Sequence, residues 1–141
     1  MYLALRREEI AKAEWDRFDE TLEWYTVTGK NSKTATLPVH PALVAVLAPR
    51  RGEGYIFPGR FGDHVCMATI WTWSKEVARA AGIETFTTHQ LRHTSLTTAL
   101  DNTGNLRSVM EFARHTKPET TAGYTRTTRA QLRAVMEALD F

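Results

Sequence analysis

Apolar residues recur at helical spacing from Leu5 to Trp15, with Glu8 and Glu9 early, which predicts a helix near the start of the chain. The period then changes. Leu22–Thr28 is rich in β-formers and Lys33–Val39 alternates loosely. Gly29-Lys30-Asn31-Ser32 between them is a turn signal, so the two segments predict a β-hairpin. A short helix is expected over Pro41–Leu47, with proline near its first position. Arg50–Gly54 reads as a polar loop, Tyr55–Pro58 as a brief extended piece and Pro58–Asp63 as a second loop. Helical spacing returns over Met67–Ala81 and stops at Gly82. A further helix is predicted over Thr88–Leu100, with Thr87 or Thr88 as N-cap and Thr103-Gly104-Asn105 as its end. Leu106–Ala113 follows, Pro118 opens a short helix towards Tyr124, and Arg129–Leu139 carries Leu132, Val135, Met136 and Leu139 on one face. The expected fold class is α+β, mainly α-helical, with a small antiparallel β-sheet near the N-terminus.

Composition narrows the class without changing this picture. A chain of 141 residues suits a single domain with a real core. Its hydrophobic fraction of 43% and charged fraction of 24% fit neither a collagen-like nor a disordered chain. Cys66 is the one cysteine, so there is no disulfide framework and no CxxC metal pair, and an intracellular, cytoplasmic setting is the default. No apolar run approaches the roughly 20 residues of a membrane helix. The formal charge is only +2, but it is unevenly spread. Residues 1–85 balance, whereas residues 86–133 hold seven Lys/Arg against three acids, which suits a polyanionic partner.

The densest chemistry is Thr88-His89-Gln90-Leu91-Arg92-His93-Thr94. On a helix His89 and Arg92 are i and i+3 and share a face, while Leu91 and Leu96 are free to point to the core. Alone, such a pair is a surface arginine beside a capping histidine, and His93 reads as a core support. Twenty-three residues after Arg92 comes His115, and nine later Tyr124, in the run Phe112-Ala113-Arg114-His115-Thr116-Lys117-Pro118-Glu119-Thr120-Thr121-Ala122-Gly123-Tyr124. Together these segments resemble the signature of the tyrosine recombinases, the phage-integrase family. Leu5-Arg6-Arg7-Glu8-Glu9-Ile10 is similar to the family segment bearing its first catalytic arginine, which stands three residues before a glutamate and so maps to Arg6. The hairpin turn is similar to the one bearing the family's lysine, which maps to Lys30, with Lys33 as the fallback.

The resemblance implies the catalytic-domain fold of that family over residues 1–141, without the separate N-terminal domain that clamps DNA in full-length members. It implies cleavage and rejoining of double-stranded DNA, with Arg6, Lys30, His89, Arg92, His115 and Tyr124 catalytic, and Arg114, Lys33 and Lys117 at the DNA. Arg6 and Arg92 supply planar, permanently charged forks for the non-bridging phosphate oxygens. Lys30 can protonate the leaving 5′-oxygen, His89 and His115 assist, and Tyr124 forms a 3′-phosphotyrosine. The bond energy is kept in that link, so no cofactor is expected, and no carboxylate cluster points to a metal. Arg114 departs from the family's usual glycine and Gln90 from a common acid. A type IB topoisomerase and a catalytically inert DNA-binding relic are the rival readings. The apolar face of the tail, residues 128–141, is expected to dock either on its own domain or on a neighbouring protomer of a homo-oligomer on DNA.

Overall fold

The change of period near Leu22 marks a two-stranded sheet in the computed structural model, which describes residues 1–29, 34–114 and 129–139. Strand β1 (Trp24–Thr28) pairs antiparallel with β2 (Thr34–Pro38), Trp24 opposite Pro38 and Thr28 opposite Thr34. Alternation sends Tyr25 and Val27 inward to meet Leu37, and the Thr26 and Thr36 hydroxyls lie 3.2 Å apart on the other face. Lys30 and Lys33, expected on a turn between the strands, lie outside the described residues.

The first helix is shorter than its pattern. Helix α1 covers only Arg7–Ala11, and a single 3₁₀ turn follows at Trp15–Arg17. Long-range pairing stops it. The Trp15 amide donates to Gly54 O at 2.8 Å and the Ile56 amide to Ala13 O at 2.8 Å, so residues 13–15 are drawn into extended contact with 54–56. Helix α2 (Pro41–Leu47) begins as proline at its first position dictates, with the His40 ring accepting from the Ala42 amide at 3.1 Å. Helices α3 (Met67–Ala80), α4 (Thr88–Thr103) and α5 (Leu106–Phe112) follow the predicted order. Gly104 ends α4 in the left-handed conformation, at φ +62°. The Asn105 side chain then caps α5 by accepting from the Ser108 amide at 3.0 Å. The short helix expected from Pro118 lies outside the described residues.

Helix α6 (Arg129–Glu137) sits on α4, α5 and β2 of its own chain. Val135, Met136 and Leu139 are buried there beside Phe112, Leu37 and Ala99, with Leu132 packed against them. The apolar face that made docking on a neighbouring protomer an open option is therefore covered in cis. Asn102 Nδ2 also donates to Ala138 O at 2.8 Å, and Trp24 carries the guanidinium groups of Arg129 and Arg133 at 5.2 and 5.3 Å from its ring centre. Among the described residues no helix is long and apolar enough to cross a membrane.

Candidate active site

Three distant segments meet at the N-terminal end of α4. The capping box there sets the geometry: the Gln90 amide donates to Thr87 Oγ1 at 3.2 Å, and the Thr87 amide donates to Gln90 Oε1 at 2.5 Å. A glutamine oxygen serves this box as a carboxylate does, which accounts for Gln90 where an acid is common. The first turns of α4 then present His89 and Arg92 on one face. Both line a cleft of about 420 Å³, together with Arg6 and Arg7, Leu5, Trp71 and Thr87–Thr88. Three of the six catalytic candidates, Arg6, His89 and Arg92, are thus in one place. His115 and Tyr124 lie outside the described residues, as do Lys30, Lys33 and Lys117. A somewhat larger hollow, about 530 Å³, lies on the far side of Trp71 and holds none of these groups.

Arg92 is only 5% exposed, although it borders the cleft. Its Nη1 donates to Ala4 O and its Nη2 to Ala113 O, so the fork is held from behind by two backbone carbonyls. Burial, with the neighbouring Arg6 and Arg114 charges, lowers its pKa to about 10, which leaves it cationic at neutral pH. Ala4 and Arg114 flank this anchor at φ +43° and +55°. A side chain in the left-handed region costs about 1–2 kcal/mol, so both carbonyls are presented by strained backbone.

Glu9 gathers the cations from below. Its Oε2 accepts from the Arg6 backbone amide at 2.6 Å and from Arg114 Nη2 at 2.7 Å, while its Oε1 accepts from Arg6 Nη1 at 3.0 Å. Arg6 itself remains 46% exposed at its side chain and faces the cleft. Two guanidinium groups thus share one carboxylate, with the Arg92 charge beside them, a local excess of positive charge suited to an anion. Arg114, expected at the DNA, is turned inward to Glu9, and burial pushes its pKa down. His93, read as a core support, is exposed on α4. In the sequence Glu9 marks an early acid of the first helix and distinguishes Arg6 from Arg7, with no sign of its role beneath the cleft. Its ion pair with Arg114 spans 105 positions and leaves no local signal. Among the described residues no group of three His, Cys, Asp or Glu side chains is placed to hold a metal ion.

A family model described as "Phage integrase family" matches residues 1–131. Among curated proteins, tyrosine recombinase XerD of Listeria innocua serovar 6a is 28% identical over 144 aligned positions, covering 93% of this chain and 48% of the relative. Tyrosine recombinase XerC of Xanthomonas campestris pv. campestris (strain B100) is 31% identical, covering 95% of this chain and 44% of that protein. The chain therefore spans about half the length of the curated relatives it matches. Among solved structures, the integrase from mycobacterium phage Brujita superposes with a TM-score of 0.86 at 33% identity, over 99% of this chain and 48% of that one. XerA recombinase superposes with a TM-score of 0.73 at 24% identity, over 94% of this chain and 51% of its own, which speaks for the fold alone.

Proposed function

The chain belongs to the phage integrase family, and from that premise we propose that it is the catalytic domain of a tyrosine-type site-specific recombinase, which cleaves and rejoins double-stranded DNA through Tyr124. The observation that carries this reading is the meeting of Arg6, His89 and Arg92 on one cleft. Attack on a phosphodiester builds negative charge on the non-bridging oxygens. Two preorganised guanidinium forks meet that charge without reorganising. Arg92 is fixed by its carbonyl anchors, so its remaining N–H groups are directed without loss of side-chain freedom on binding. Arg6 is the exposed partner and takes up the oxygen on the other side.

The Tyr124 hydroxyl attacks phosphorus and releases the 5′-oxygen, giving a 3′-phosphotyrosine and a free 5′-hydroxyl. The tyrosine proton passes to a base, for which His89 and His115 are the candidates, and Lys30 on the hairpin protonates the leaving oxygen. Reversal on a second 5′-hydroxyl exchanges strands and needs no external energy. Lys33 and Lys117 add phosphate contacts beside the site, and several copies of the chain on one DNA complete the exchange.

The test is a pool of nicked duplexes of randomised sequence, from which protein–DNA adducts resistant to denaturant are trapped and sequenced. The unmodified chain is expected to form such adducts. Tyr124→Phe loses only a hydroxyl, so it is expected to fold and bind the selected duplex while forming none. An adduct persisting in the Phe variant would remove Tyr124 from the mechanism.

A further inference from the structure

Arg114 is the feature that the mechanism above does not use. We propose that Arg114 is a positioning residue of the phosphate clamp, which draws Glu9 away from a two-toothed grip on Arg6 and braces the carbonyl that anchors Arg92. The proposal rests on the recombinase reading of the cleft.

Four observations carry it. Arg114 adopts φ +55°, where a side chain is strained and glycine is not, so the large residue is kept against a local cost. Its side chain is 9% exposed, and a buried guanidinium without full pairing is expensive. Its Nη2 reaches both Glu9 Oε2, at 2.7 Å, and Ala4 O, at 3.4 Å, the same carbonyl that accepts from Arg92. Its Nε and Nη1 are buried with no hydrogen-bond partner among the described residues. A residue present only to stabilise the fold would be poorly served by strain and by two donor nitrogens left unpaired there.

The geometry explains what this arrangement does. A free carboxylate beside an arginine prefers the parallel, two-bond pairing with its fork. Here the second Glu9 oxygen is already taken by Arg114 and by the Arg6 amide, so Glu9 holds the Arg6 side chain through one oxygen only. Arg6 thus keeps donors for a phosphate oxygen. Arg114 also offsets the Glu9 charge, which would otherwise weaken the pull of the cleft on an anion. Removal of Arg114 leaves the second Glu9 oxygen held by the Arg6 amide alone, which lets it turn towards the Arg6 fork, and it loosens the Ala4 support. Ground-state DNA contacts made elsewhere survive this. The interaction made only as charge develops on phosphorus does not.

The experiment uses one cleavable duplex selected from the randomised pool. Adduct formation at saturating DNA, the dissociation constant and the melting temperature are measured for Arg114→Gln, Arg114→Lys, Arg114→Gly and Glu9→Gln, and for Arg114→Gln combined with Glu9→Gln. Arg114→Gln and Arg114→Gly are expected to slow adduct formation about tenfold or more, with the dissociation constant held within about threefold. Arg114→Lys, which keeps the charge on Glu9, is expected to recover most of the rate. The double variant is expected to be faster than Arg114→Gln alone, because the freed carboxylate is gone. Arg114→Gly relieves the backbone strain and keeps the test open if another variant fails to fold. Wild-type rates in Arg114→Gly, or rates that follow melting temperature across the set, would overturn the proposal. Tyr124→Phe runs in parallel. If it still forms adduct, the recombinase reading falls, whereas an inert Tyr124→Phe beside a fully active Arg114→Gly sinks the positioning role alone.

Discussion

Arg92 sits in two places at once. Its fork ties Ala4 O to Ala113 O across 109 positions of chain, and its side chain borders the cleft. Lysine keeps the charge but is a point donor that cannot span two carbonyls as a planar fork does. Arg92→Lys therefore leaves one buried carbonyl unpaired, at a cost of about 1–3 kcal/mol. The expected outcome is a lower urea midpoint together with a loss of adduct formation larger than the stability loss explains. A variant with unchanged stability would show that the carbonyl anchors are dispensable. The sign of the pH dependence follows from burial. The folded pKa, lowered to about 10, lies below the unfolded value, so the buried charge costs stability below about pH 10 and that cost is relieved as pH rises through it. At neutral pH Arg92 therefore stays charged. Arg92 was legible in the sequence because His89 and Arg92 sit one helical turn apart. Its anchors were not, because backbone carbonyls carry no residue identity.

Helix α4 shows how an element aims a site. The capping box fixes where the helix starts, and that start decides which way residues two and five of the helix point. Thr87→Ala removes the hydroxyl that accepts from the Gln90 amide and is expected to cost about 1 kcal/mol. Thr87→Ser retains it and is expected to be nearly neutral. Because the first turn carries His89, fraying there is expected to slow adduct formation in Thr87→Ala more than in Thr87→Ser at equal DNA saturation. Equal rates in the two would detach the cap from the site. The sequence revealed this helix well, since its cap and its terminating Gly104 are local signals. The helix read over Leu5–Trp15 was more than twice as long as α1, because the pull of residues 54–56 on 13–15 is invisible to periodicity.

At the scale of the molecule, the first residues and the last helix close on the same core. Ser95 Oγ donates to Met1 O at 3.1 Å, and Leu139 is fully buried. Leu139→Ala is expected to lower stability by about 2–5 kcal/mol, as buried leucine truncations do. The check is a denaturant titration at several protein concentrations, with a midpoint that does not move with concentration. A midpoint rising with concentration would mean that the helix finds its seat in another copy. The amphipathic pattern of the tail made its burial legible, but a stripe of apolar residues does not say which surface it meets. The fold class and the order of elements followed from local pattern, while the grouping of Arg6, Glu9, Arg92 and Arg114 arose only on folding.

The seat of α6 also has an optical consequence. Trp24 lies under two guanidinium groups, at 5.2 and 5.3 Å, and is half-buried on the strand that leads into the Lys30 turn. An indole in that position senses charge and water at its ring. Arg129 begins the helix only five residues after Tyr124. With Trp15, Trp71 and Trp73 replaced by phenylalanine, the fluorescence of Trp24 thus reads, without any added label, whether the helix behind Tyr124 is in its own seat.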